Sequence, residues 1–249
     1  MSFNIELEGG VPKRLNTKGK YCDRDIVVTP ENLDEKLVQQ DTLIEQIKTA
    51  LRDKVAGGTS TIFKDFIEGT LVEVNDDTIT TIKARAFNAS TGLKRVSLLK
   101  ATNIGQYAFA ECTELVSVDL PSLDSAVPTF CFDGCTALKN VNFPNATAAN
   151  NYSFQDCVSL EKVELGVATI VGSYSFRRTG VTALIIRNNT TKLTKLNSTN
   201  AFSDCPIASG TGYIYFYRQY VDSYKSATGW SNYASQIRAI EDYPEITGG

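Results

Sequence analysis

Between Ala101 and Phe176 the chain writes one phrase three times, and this repetition limits the possible folds more than any other feature. The copies are Phe109-x-x-Cys112-x-x-Leu115-x-x-Val118-x-Leu120-Pro121, Phe132-x-x-Cys135-x-x-Leu138-x-x-Val141-x-Phe143-Pro144 and Phe154-x-x-Cys157-x-x-Leu160-x-x-Val163-x-Leu165. Phe109, Phe132, Phe154 and Phe176 follow one another at steps of 23, 22 and 22 residues, which is a solenoid period. Looser copies flank them. One runs from Ile79 and Ile82 through Phe87 to Leu98 with Ser90 in the Cys slot, another has Phe176 with Thr179 in that slot, and a last one is Phe202-x-x-Cys205.

Within a copy, the final Val-x-Leu places two apolar residues two apart, as a strand with one buried face requires, while the intervening residues point outward. Phe three before the Cys slot, and Ile or Val five before that Phe, anchor the opposite wall of each coil. One coil buries about five such side chains, worth roughly 8 to 15 kcal/mol at most. Ordering costs ~1 to 2 kcal/mol for each residue of the coil. A single copy therefore cannot fold alone, and the coils must stack.

The pattern resembles that of the BspA-like leucine-rich repeats, close to Ile-x-x-x-Ala-Phe-x-x-Cys-x-x-Leu-x-x-Val-x-Leu-Pro, over about residues 79–240. The resemblance implies a repeat solenoid of the leucine-rich-repeat type, with short parallel strands and mostly β and irregular coils. It also implies binding rather than catalysis, since the family is a scaffold of bacterial surface adhesins, protist surface proteins and phage-encoded proteins.

Ahead of the repeats the sequence predicts a small β segment and one helix. Residues 1–30 carry strand-like patches, Ile5/Leu7 and Ile26/Val27/Val28, around turn signals at Gly9-Gly10 and Gly19. Within them, the stretch from Leu15 to Pro30 resembles a segment near the N-termini of tail-associated proteins of phages and prophages of Gram-positive gut bacteria, which implies an attachment role. A helix follows over 31–56, opened by Glu31, Asp34 and Glu35 where the helix dipole favours carboxylates. Leu33, Leu37, Gln40, Ile44, Ile47 and Leu51 fall on alternating steps of four and three. That spacing fits a short coiled coil, whose Gln40 would help fix the register of a trimer, and it fits equally a lone amphipathic helix lying on a sheet. Gly57-Gly58 ends the helix, and 57–61 reads as a linker. The solenoid then occupies 62–249, with a leading cap over 62–78 and an aromatic closing cap over 211–243. That closing cap is read as a last strand near 212–217 and a terminal helix near 221–237.

Composition excludes more chemistry than it suggests. There is no histidine, so no Ser-His or Cys-His nucleophile and no His-ligated metal. A net charge of −3 offers no basic footprint for nucleic acid or an anionic membrane. No apolar run reaches the ~20 residues of a membrane span, and the N-terminus lacks the pattern of a secretory signal. The expected protein is not an enzyme and uses no cofactor or metal.

Three groups are candidates for partner binding. Tyr107, Phe130, Tyr152 and Tyr174 lie two residues before the repeat Phe and form an aromatic column, suited either to a glycan or protein ligand or to shielding the core edge. Arg95, Asp119, Asn142 and Glu164 represent the outward strand positions. Tyr215, Tyr217 and Trp230 represent the aromatic C-terminal end. Cys112, Cys135, Cys157 and Cys205 share one slot and are read as reduced packing residues rather than a disulfide or metal set. The expected role is a structural and recognition protein of a phage or prophage particle, with the virion as its location. It would bind a protein or surface glycan of a host cell through the solenoid and other virion proteins through its N-terminal segment. The alternative is a bacterial cell-surface adhesin or secreted binding module.

Overall fold

The computed structural model describes the backbone of Asn4–Glu8 and Val11–Asn16, and the chain at 73–75 and 79–247. The expected helix with Leu33, Leu37, Gln40, Ile44, Ile47 and Leu51, the linker at 57–61 and most of the 62–78 cap lie outside the described residues.

The strands are β1 Asn4–Glu8, β2 Val11–Asn16, β3 Glu73–Asn75, β4 Thr81–Ile82, β5 Arg95–Ser97, β6 Asn103–Ile104, β7 Ser117–Asp119 and β8 Asn140–Phe143, followed by β9 Ala148–Ala149, β10 Lys162–Leu165, β11 Ile170–Val171, β12 Ala183–Ile186, β13 Lys195–Leu196, β14 Tyr213–Phe216 and β15 Ile237–Ala239. Strands β1 and β2 pair as an antiparallel hairpin. The repeats build a solenoid with two walls. One wall is an eight-stranded parallel sheet in the order β3-β5-β7-β8-β10-β12-β14-β15. Opposite it run β4-β6 and β9-β11-β13, whose inward residues Ile82, Ile104, Ala149, Val171 and Leu196 are buried. Most stand five before a repeat Phe, as the period predicts.

Between the walls runs a spine of six phenylalanines. Phe87, Phe109, Phe132, Phe154, Phe176 and Phe202 stack with near-parallel rings at centroid distances of 5.1, 5.3, 5.3, 5.5 and 5.8 Å. At the closed end Tyr233 meets Phe202 edge-on at 5.1 Å, and the indole of Trp230 lies tilted at 6.3 Å.

The turns that carry the first five Phe follow one backbone rule. Residues two before and two after the Phe have positive φ, for example Tyr107 (57°) and Glu111 (61°), Tyr152 (58°) and Asp156 (60°), and Tyr174 (56°) and Arg178 (53°), whereas at Phe202 only Asp204 (57°) does, because Thr199–Phe202 is a 3-10 turn. Left-handed backbone costs an L-residue ~1 to 2 kcal/mol, and here inter-coil hydrogen bonds offset it. Alternate N–H groups, those of Tyr152, Phe154 and Asp156, donate to the next coil at Ser173, Ser175 and Arg177 over 3.0, 2.9 and 3.0 Å. The N–H groups between them turn back within their own coil, as Ser153 does to the Asn150 carbonyl (3.2 Å). The left-handed residues thus let one turn close on itself and lace to its neighbour together.

Both ends of the solenoid depart from expectation. Glu73–Asn75, assigned by sequence to the leading cap, is an edge strand of the main sheet, with Val74 in register with Val96. At the other end Tyr213–Phe216 is not the last strand, because Ile237–Ala239 adds beyond it. The helix expected near 221–237 is confined to Val221–Ser226, since Ala227 is extended and Gly229 has φ 82°. A 3-10 turn at Trp230–Tyr233 then drops both aromatic rings onto the end of the Phe spine.

Candidate functional site

The Cys slot is a buried hydrogen-bond donor. The thiols of Cys112, Cys135 and Cys157 donate to the carbonyls of Phe87, Phe109 and Phe132, each one coil back, at sulfur–oxygen distances of 3.0, 3.1 and 3.0 Å. The five cysteines of the solenoid are buried and form no disulfide among the described residues. Burial pushes the Cys131 and Cys135 thiols well above the usual range, and the thiols beside them add to the effect. Protonated and sealed from solvent, they cannot act as nucleophiles. Among the described residues no group of His, Cys, Asp or Glu could hold a metal ion.

The aromatic column forms as its spacing requires, but its rings stack on one another. Tyr107 and Phe130 lie 5.0 Å apart, Phe130 and Tyr152 4.7 Å, and Tyr152 and Tyr174 5.2 Å, all within 12° of parallel. The guanidinium of Arg85 covers Tyr107 at 4.6 Å, and that of Arg177 lies 5.6 Å from the Tyr174 ring. Asn200 donates to the Tyr174 hydroxyl (3.1 Å). Because the faces are filled, a sugar has no ring face to lie on, and the column presents edges and phenol oxygens. Arg85 and Asn200 occupy the same slot as the column, two before Phe87 and Phe202. Their place in the repeat is legible in the sequence, although neither is aromatic.

Beside the column Glu111, Asp133 and Asp156 share the turn wall. Burial raises the Asp133 carboxyl above the usual range, opposed by the hydrogen bond from Gln155 (3.2 Å), with Asp156 and Glu111 adding repulsion. Asp156 in turn holds Arg178 in a two-pronged ion pair.

The outer face of the long sheet carries two aligned columns. Parallel register places Arg95, Ser117, Asn140 and Lys162 in one and Ser97, Asp119, Asn142 and Glu164 in the other. Arg95, Asp119 and Asn142 are exposed. Among the described residues, Ser117, Asp119, Asn140 and Asn142 have no side-chain hydrogen bond or ion pair. Glu164 differs, since it pairs with Arg187 at 2.5 Å, and Arg187 also bonds Tyr217.

Of the C-terminal aromatics, Tyr215 and Trp230 are corrected as partner-binding candidates: each is only 1% exposed. Trp230 closes the core, with its indole N–H donating to the Thr194 carbonyl (2.7 Å). Tyr215 lies on the outer face of the sheet beneath Tyr243 and Ile240. Tyr217 is half-buried at the margin of the same cluster.

Comparison with known proteins agrees with this geometry. The sequence model for a BspA type leucine rich repeat region matches residues 80–209 in six copies, as many as there are Phe rings in the spine. Among solved structures the chain is similar to the pneumococcal vaccine antigen PcpA, with 19% identity and a TM-score of 0.50, covering 68% of this chain and 44% of that one. It is also similar to a leucine-rich cell surface protein of Faecalibacterium prausnitzii A2-165, with 31% identity and a TM-score of 0.46 over 56% of this chain and 37% of that one. A leucine-rich repeat protein of Bacteroides ovatus ATCC 8483 gives 22% identity and a TM-score of 0.38, over 57% and 48% of the two chains. The chain thus spans less than half the length of these solved proteins. Among curated proteins no match is found.

Proposed function

Because the chain belongs to the BspA-type leucine-rich repeat proteins, we propose that it is a non-enzymatic recognition module that docks a protein or surface glycan along the open polar stretch of its outer sheet face. One observation carries this reading: Ser117, Asp119, Asn140 and Asn142 are outward, aligned and without side-chain partners among the described residues. Short side chains lose little rotamer freedom on docking, and a parallel sheet repeats them about every 4.8 Å. Arg95 and Asp119 bring opposite charges to the face, so neither sign dominates it. The family scaffold favours display at a cell surface. A second reading, attachment to a phage particle, is favoured by the segment from Leu15 to Pro30, and it would use residues 31–56 as a trimerising coiled coil.

Fluorescently labelled chain applied to a glycan array and to intact bacterial and epithelial cells tests the recognition role. Saturable binding that is lost on Asn142→Arg supports it, and the absence of saturable binding on every surface counts against it. Light scattering on the whole chain and on one starting at Ser60 tests the second reading. A trimer that becomes a monomer on truncation supports it, and two monomers contradict it.

A further inference from the structure

Every second residue of a strand faces the same way, and one step beyond the two polar columns of the outer face lies a third. After Ser97, Asp119 and Asn142 come Leu99, Pro121 and Pro144, all exposed, Leu99 by 45%. Neighbouring coils stay locked here, since the Ser122 hydroxyl donates to the Leu99 carbonyl (2.6 Å) and the Asn145 amide to the Pro121 carbonyl (3.1 Å). With these backbone groups satisfied, the column offers a partner apolar side chains. In the next coil the place belongs to Gly166, whose Cβ would stand 1.4 Å from the Pro144 carbonyl oxygen, so the column drops to bare backbone there. Val167, 41% exposed, borders the dip.

Beyond the dip the chain breaks its period. Residues 187–194 separate β12 from β13, where 144–147 and 166–169 serve the two preceding coils. The buried Asn188 side chain donates to the Lys192 carbonyl (3.0 Å) and accepts from the Thr190 N–H (3.1 Å), and the Tyr220 hydroxyl donates to the Asn189 carbonyl (2.9 Å). The loop is thus fixed before any partner arrives, yet its exposed Asn189, Thr191 and Lys192 side chains have no partner among the described residues. Past it, at β12 and β14, the outer face is closed, with Ile185 and Tyr215 beneath Ile240, Tyr243 and Ile246.

Two features of this surface select a partner. From β5 to β10 the three columns hold no aromatic ring, the flat apolar surface on which a sugar stacks, whereas an apolar strip flanked by polar side chains is the make-up of a protein interface. The edge also carries more positive than negative charge. Lys100 and Lys192 are exposed with no ion pair among the described residues, Arg187 is engaged by Glu164, and Asp124 is the one acidic residue of these connecting segments.

We propose that the partner of the outer face is a protein, which lays aliphatic side chains along Leu99, Pro121 and Pro144 and sets a carboxylate against Lys192. This rests on the recognition role of the polar columns and names the class of molecule they meet.

The labelled intact chain on bacterial and epithelial cells tests it. Trypsin treatment of the cells should lower saturable binding about 10-fold or more, and periodate, which cleaves sugar diols, should lower it less than about 2-fold. Leu99→Asp with Val167→Asp should weaken binding about 10-fold or more, and Lys192→Glu about 5-fold or more, with the melting temperature unchanged. Binding that survives trypsin, that periodate removes, or that these variants spare overturns the proposal, while its loss on Asn142→Arg in the same cells keeps the recognition role standing. No saturable binding on any cell overturns both. Should the double variant fail to fold, Lys192→Glu and the two treatments decide.

Discussion

Cys112, Cys135 and Cys157 each combine packing with a bond to the neighbouring coil, and Cys135 sits in the middle of the series. Its thiol reaches the Phe109 carbonyl at 3.1 Å while the side chain is fully buried. Cys135→Ala should cost about 1 to 2 kcal/mol, from the cavity and the lost donor, read by urea unfolding. Reductant should leave the melting temperature of the solenoid unchanged, since its cysteines form no disulfide among the described residues. Burial raises the folded-state pKa of Cys131 and Cys135, so ionisation favours the unfolded chain. Their contribution is therefore complete below about pH 8.5, where unfolded thiols begin to ionise, and is lost as pH climbs above it. A stability curve that stays flat through pH 10 would contradict this. The Cys slot was legible as buried from its neighbours Phe and Leu, but its donor role was not. The acceptor lies in the preceding coil, and its position depends on how coils stack.

Elements outside the period are held by polar networks instead of repetition. The coil from Phe176 to Phe202 carries extra residues, and Thr194 anchors them. Its hydroxyl donates to the Ala168 carbonyl (2.6 Å) and accepts from Tyr224 (3.0 Å), while Asn188 bonds both Thr194 and the Lys192 carbonyl. Thr194→Val keeps the shape and strands these buried groups, so it should cost about 2 to 3 kcal/mol. A thermal melt within a degree of wild type would contradict the anchoring role. Gly166 tests the spacing of the coils, because a Cβ there would stand 1.4 Å from the Pro144 carbonyl oxygen. Gly166→Ala should destabilise by about 3 kcal/mol, measured the same way. The strands and the Phe spine could be read from period and spacing. Tyr215 was misread because β12, Ala183-Leu-Ile-Ile186, is apolar on both faces, a sign that something covers its outer side. The covering residues Ile240, Tyr243 and Ile246 follow no repeat, so no spacing connects them to it.

For the whole molecule, the solenoid sets out two long surfaces and the packing distinguishes them. On the turn wall the aromatic faces are filled by each other and by Arg85 and Arg177, whereas on the sheet the polar columns remain open. The sequence could name both surfaces, but ranking them requires the ring-to-ring distances of about 5 Å that only stacked coils produce. The most direct measurement compares two double variants of the labelled chain for binding to whichever glycan or cell surface it recognises. Asp119→Arg with Asn142→Arg should lower affinity at least 10-fold on the sheet face, while Gln106→Arg with Glu111→Arg, both exposed in the turn that carries Tyr107, should change it less than 2-fold. The opposite ranking, with both variants folded, would contradict the assignment of recognition to the outer sheet face.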